Sequence, residues 1–176
     1  PKTEEEKIYL RKKYEYNESD LILVSVGELG ENKNQEMLIS AISSLKDVIP
    51  EIKLLLVGTG KLERELKDKV NDLKINSNVD FLGYRNDVNN IMALSDLLIS
   101  TSKREGLPVN VMEAMATGIP LIVTNCRGNR DLVKNNKNGF VIEIDDLNLL
   151  VKSIKILNDD ESLRNIFRKK NLDIIK

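Results

Sequence analysis

A chain of 176 residues is long enough for one domain with a sizeable core, and two domains would be cramped. With 41% hydrophobic and 31% charged residues it is neither disordered nor fibrous, and a net charge of −1 without a basic block speaks against nucleic acid and against a polybasic membrane arm. The absence of histidine excludes Ser–His–Asp and Cys–His machinery and His-based metal clusters, leaving acid–base work to carboxylates, lysine, tyrosine or the substrate.

In chain order, residues 3–14 read as a charged helix with Ile8 and Leu10 among few anchors, and the EEEK run as a solvated face. Leu21–Val26 is a β-rich apolar run suited to a strand covered on both faces, ending at Gly27. A polar loop leads to a helix over 34–45, where Met37, Leu38, Ala41, Ile42 and Leu45 share one stripe. Ile52–Val57 repeats the strand pattern and ends at Gly58-Thr59-Gly60, before a helix over 61–73 with charges of both signs. Further strands are expected at 79–82, Leu97–Ser100, Leu121–Thr124 and 140–144. Helices are expected at 87–94, 108–117, 130–134, 147–157 and 162–176.

This alternation predicts one domain over 1–176: α/β, a doubly wound Rossmann-like parallel six-stranded sheet with helices on both faces, in the order 3-2-1-4-5-6. The apolar runs are strand-sized, no signal peptide is visible, and Cys126 is the sole cysteine. A cytoplasmic location is the resulting expectation. The chain starts at Pro1 without methionine and ends in an uncapped helical segment, which reads as a piece of a longer protein.

Residues 101–120 concentrate the candidate chemistry. A strand is followed by small polar residues, Glu105, Gly106, Leu107 and Pro108, and then by a helix that carries Glu113 and stops at Gly118. Pro108 is expected as the first helical residue, since its fixed φ suits that place. A strand, a polar glycine-bearing turn and a helix start make an anion site, with the Gly106 and Leu107 amides facing the ligand. In a doubly wound sheet, ligands bind where the winding reverses, between the loops after strands one and four. Residues 27–33 and 101–107 are therefore expected to face each other, bringing Lys33 opposite the anion site.

Other candidates have plainer readings. Gly58-Thr59-Gly60 lacks the third glycine of a dinucleotide fingerprint, since Glu63 stands there, and it follows the second strand instead of the first. A tight turn explains it better, which weighs against a dinucleotide-dependent oxidoreductase. There is no GxxxxGK[ST] P-loop. Turn chemistry accounts for Gly128 and Asn129, surface placement for Arg127 and Arg130, and packing for Met112 and Met115. Arg85 stays open.

Glu105-Gly106-Leu107-Pro108, with Glu113-Ala114-Met115-Ala116 and Gly118-Ile119-Pro120, resembles the Glu-x7-Glu signature of retaining glycosyltransferases of the large family four group, which have the two-domain GT-B architecture. The resemblance continues through Val26-Gly27 and Lys33-Asn34, Leu56-Val57-Gly58-Thr59-Gly60, Phe81-Leu82-Gly83 and Asn138-Gly139-Phe140, with a flavour of bacterial capsule and surface-polysaccharide enzymes. It implies a C-terminal nucleotide-sugar-binding domain whose acceptor-binding N-terminal domain is absent. It also implies transfer with retention from a nucleoside-diphosphate sugar, without cofactor or metal, in a full-length enzyme at the inner membrane face. By this resemblance Glu105 contacts the donor sugar and Glu113 the ribose. Lys33 and the Gly106 and Leu107 amides hold the diphosphate beside Gly27, and the base lies near Gly58 and Gly83-Tyr84. Two positions depart from the pattern: Glu28 stands where many members carry arginine, and the Gly-x-x-Glu after strand five appears as Gly128-Asn129-Arg130-Asp131. A non-catalytic nucleotide-binding or interaction module on the same fold is the alternative.

Overall fold

In the computed structural model, residues 3–175 are described. Six strands, β1 (Leu21–Val26), β2 (Ile52–Val57), β3 (Val79–Gly83), β4 (Leu97–Ser100), β5 (Leu121–Thr124) and β6 (Phe140–Ile142), pair in parallel in the order β3-β2-β1-β4-β5-β6. This is the order that the alternation of strand and helix predicts. The helices are α1 (Glu4–Lys13), α2 (Gln35–Leu45), α3 (Glu63–Asp72), α4 (Val88–Leu94), α5 (Val109–Thr117), α6 (Arg127–Leu132), α7 (Leu147–Asp159) and α8 (Glu161–Ile174).

The strands are apolar at almost every position because both faces are covered. Successive side chains point to opposite faces. Leu21, Leu23, Leu54 and Leu56 therefore pack with Leu38 and Ile42 of α2, Ile154 of α7 and Phe167 of α8. Ile22, Val24, Leu55 and Val57 meet Met92 of α4 and Val111 and Met115 of α5. Phe140 meets Phe167 edge-on at 5.4 Å between ring centroids, which ties α8 back to the last strand.

Several local expectations need correction. α1 does not sit on Ile8, which is exposed; it buries Leu10 and Arg11. Its start is set by a capping box between Thr3 and Glu6, and its docking by polar contacts. Arg11 donates to the carbonyls of Leu94 (2.9 Å), Glu18 (2.8 Å) and Asp20 (3.0 Å) and to the Asp96 carboxylate (2.7 Å). Lys7 also turns inward to Asp96, at 2.7 Å. Pro108 stands one position before α5, because its ψ of 86° is not helical. Gly118 closes α5 as expected, with φ of 81°.

The helix expected at 130–134 runs from Arg127 to Leu132, so Gly128 and Asn129 are buried helical residues and not a turn. A tertiary bond holds the helix start beneath the 101–108 loop, from the Gly128 N–H to the Glu105 carbonyl at 3.1 Å, and Asn129 Nδ2 adds a local one to the Thr124 carbonyl at 3.2 Å. β6 ends at Ile142, and Asp145, with φ of 63°, turns the chain toward α7. α8 starts at Glu161, since the Asp160 carboxylate accepts from the Leu163 amide. Lys176, the expected end of that helix, lies outside the described residues.

Candidate functional site

Parallel strands bring all carboxyl ends to one edge of the sheet, and β1 and β4 are neighbours where the winding reverses. The loops that follow them, residues 27–34 and 101–108, are joined there. Thr101 Oγ1 donates to the carbonyls of Lys33 (2.8 Å) and Asn34 (3.0 Å). The Asn32 side chain accepts from the Arg104 amide at 3.1 Å and donates to the Arg104 carbonyl at 2.9 Å, while the Lys103 amide donates to the Asn32 carbonyl at 2.8 Å. Across this seam Lys33 Nζ stands 2.5 Å from Glu105 Oε1. The pair is half-sheltered, with side-chain exposures of 23% and 11%.

The other candidates surround the pair unevenly. The Lys33 side chain lies over Gly27, where a Cβ would come within 2.9 Å of Lys33 Cε. Gly58 and Gly60 abut the backbone of Gly27 and Leu29 with no room for a Cβ, so both let the β2 loop pack on the β1 loop. Gly58 in turn donates its N–H to the Gly83 carbonyl at 2.8 Å. Gly106 and Leu107 are exposed, and among the described residues neither amide is taken up by a backbone hydrogen bond. The start of α5 is fixed by Asn110, whose Nδ2 donates to the Val26 carbonyl at 2.8 Å. One turn later Glu113 shares that helix face, half-buried.

Tyr84 is 83% exposed, and among the described residues no hydrogen bond joins it to the Lys33–Glu105 pair. Arg85 is committed to Asp87 through two bonds of 2.8 and 2.7 Å, and Tyr14 donates its hydroxyl to the same carboxylate. Arg85 first, and Tyr14 second, hold the Asp87 carboxyl down at about 2. Glu28 is exposed and lines an open concavity of about 570 Å³ together with Lys33, Lys61, Lys103 and Arg104.

A paired lysine and glutamate, free amides at a helix start and a second helical carboxylate describe a polar cleft wall. The family model described as "Glycosyl transferases group 1" matches residues 6–173. The chain belongs to this glycosyltransferase family. It is 38% identical to EpsD of Bacillus subtilis over 148 residues, which is 84% of this chain and 39% of EpsD. It is 34% identical over 154 residues to the Escherichia coli UDP-Gal:alpha-D-GlcNAc-diphosphoundecaprenol alpha-1,3-galactosyltransferase, covering 86% of this chain and 40% of that enzyme. The chain thus spans about two fifths of the length of these curated relatives. Among solved structures, Anabaena Alr3699/HepE in complex with UDP superposes with a TM-score of 0.91 at 24% identity, over 99% of this chain and 48% of that one. WaaG, a glycosyltransferase involved in lipopolysaccharide biosynthesis, gives 0.90 at 24% identity over 99% and 47%. These likenesses establish the GT-B Rossmann-like fold.

The glycosyltransferase chain also uses residues that sequence reasoning passed over. Asn32 and Thr101 join the two loops through backbone atoms, and no pattern of residue types announces such a contact. Gly128 donates its N–H to the Glu105 carbonyl at 3.1 Å, so α6 supports the loop from beneath. The resemblance marks Gly128 as the glycine of the Gly-x-x-Glu pattern, but neither that nor turn chemistry points to its bond with Glu105.

Proposed function

We propose that this chain is the C-terminal, donor-binding half of a retaining glycosyltransferase that takes a sugar from a nucleoside-diphosphate sugar. One observation carries the reading: Lys33 and Glu105, on loops 72 positions apart in sequence, meet at 2.5 Å beside the amides of the exposed Gly106 and Leu107. A diphosphate entering there exchanges the Glu105 carboxylate for its own oxygens on Lys33 and accepts from the two amides. Glu105, released, turns to the hydroxyls of the donor sugar, and Glu113 receives the ribose hydroxyls. Gly83 and Tyr84 border the base. Gly27 and Gly58 keep the floor thin enough for Lys33 to lie across it.

In the reaction the bond between the sugar's anomeric carbon and the diphosphate oxygen breaks, and the nucleoside diphosphate leaves with the electron pair. The acceptor oxygen bonds the same carbon on the same face, and its proton passes to the departing phosphate. Lys33 and the two amides stabilise the charge that grows on the leaving group. The acceptor side belongs to an N-terminal domain, so this chain alone binds donor and transfers little. Relatives named for diphosphoundecaprenol-linked sugars support a role in cell-surface polysaccharide synthesis, with the full-length enzyme in the cytoplasm at the inner membrane face. Among the described residues no helix is long and apolar enough to cross a membrane.

Calorimetric titration with UDP, GDP, ADP and their sugars tests the reading, and absence of saturable binding at millimolar ligand sinks it. Glu28, which adds an anion to the cleft, favours a second reading, a non-catalytic nucleotide-binding module. Transfer restored by supplying the N-terminal half excludes that.

A further inference from the structure

The inference rests on the donor-site reading above and concerns what holds that site in place. Glu105, Gly106 and Leu107 can serve a diphosphate only if their loop keeps one position. The loop has little with which to fix itself. Gly106 and Leu107 are exposed, and a Cβ on Gly106 would meet nothing within 4 Å. Its support comes from two sides.

From the β1 side, the Asn32 amide bonds both the N–H and the carbonyl of Arg104, the residue before Glu105. The side chain thus behaves as one more peptide unit paired with the loop. From beneath, Gly128 donates to the Glu105 carbonyl at 3.1 Å. A Cβ there would lie 2.5 Å from the Gly106 carbonyl oxygen, 2.8 Å from that of Glu105 and 3.0 Å from Pro108 Cδ. All three are backbone or ring atoms, so no rotamer change relieves them.

The backstop itself is firm. Asn129 Nδ2 bonds the Thr124 carbonyl and hydroxyl at 3.2 and 3.3 Å, and the Thr124 hydroxyl donates to the Ser102 carbonyl. Both Thr124 and Asn129 are fully buried. A larger residue at 128 should therefore displace the exposed loop before the anchored start of α6.

We infer that Asn32 and Gly128 are positioning residues for the donor's diphosphate, setting the place of Glu105 and the Gly106 amide without touching the ligand. Gly128, the glycine that the resemblance marks after strand five, thereby gains a role toward residues 105–106, and Asn32, one residue before Lys33, joins it.

The test compares UDP with UMP by calorimetry on the 176-residue chain, since only UDP carries the terminal phosphate that the loop would bind. The wild type should bind UDP more tightly than UMP. Gly128→Ala and Asn32→Ala should each weaken UDP about tenfold, the scale of one or two lost hydrogen bonds, and leave UMP within about twofold. An equal weakening of UDP and UMP in a folded variant overturns the inference. UDP binding at wild-type strength in folded Asn32→Ala also overturns it. Asn32 is half-exposed, so this variant decides the matter if Gly128→Ala fails to fold. A wild type that binds neither nucleotide overturns the donor-site reading itself. A wild type that binds UDP, beside variants that bind it equally well, overturns only the positioning roles.

Discussion

At each end of the sheet a lysine is paired with a carboxylate, yet the two pairs keep different company. At the amino end Asp96 accepts from Lys7, from Arg11 and from the Ile22 amide, while the remaining Arg11 bonds go to three backbone carbonyls. Every strong donor there already has a protein acceptor. At the carboxyl end Lys33 and Glu105 answer each other, and Gly106 and Leu107 beside them are exposed, with no backbone acceptor for either amide among the described residues. An anion arriving at the amino end finds Arg11 engaged by four acceptors at once, and Lys7 sharing with it the one carboxylate of Asp96. At the carboxyl end it has one contact to displace. The distinction between the two charge clusters lies here in how far the carboxylate is shared: Asp96 serves Lys7, Arg11 and the Ile22 amide, whereas Glu105 serves Lys33.

The sharpest way to break this comparison is Arg11→Ala. Removing one member of a buried charge network typically costs several kcal/mol, so a loss of about 3 kcal/mol is expected in urea unfolding, with nucleotide affinity in the folded chain unchanged. A weakened nucleotide affinity would show that the two ends are coupled. Lys33→Ala should do the reverse. Loss of a charge-assisted phosphate contact should lower UDP affinity by about 2 kcal/mol, while the partly exposed ion pair contributes under about 1 kcal/mol to stability. Equal affinity in wild type and variant would remove Lys33 from the diphosphate.

Glu113→Ala should be milder, near tenfold on UDP and absent on inorganic pyrophosphate, since its assigned partner is the ribose. An equal loss on pyrophosphate would place Glu113 at the diphosphate instead.

The smallest effect concerns the turn at 84–87. Asp87 is held at about 2, below its ordinary value of 3.8, by Arg85 and Tyr14. A carboxyl depressed in the folded state stabilises fully above its unfolded value, and that contribution fades as pH falls from about 4 toward about 2. With side chains about a third exposed, solvent keeps it under about 1 kcal/mol. Asp87→Asn should flatten this part of the acid limb of stability against pH; an unchanged limb would assign the acid sensitivity to other carboxylates.

Much of this molecule was legible along the chain. Leu21–Val26 and Ile52–Val57 read as buried strands because every position but Ser25 and Lys53 is apolar, and a period-two pattern would have meant one wet face. Once strand and helix alternate, right-handed crossovers leave little freedom in strand order, so the meeting of residues 27–33 with 101–107 followed from topology. Local chemistry also placed the stop at Gly118.

Pro108 and the start of α8 were misplaced by a position through local geometry, but the larger misreadings turned on contacts between residues far apart in sequence. Lys7 read as solvated because its partner, Asp96, is 89 positions away. Gly128 and Asn129 read as a turn because glycine and asparagine have that local preference, which the bond from Gly128 to the distant Glu105 carbonyl overrides. Pattern and propensity are local properties of the chain, so the sequence by itself determined the elements, their order and the edge at which ligands would gather. Which glycine gives space to a ligand and which to a neighbouring carbonyl depends on distances between loops. Those exist only after the sheet has closed, so tertiary structure alone decided that Asn32 and Gly128 hold the loop on which Glu105 sits.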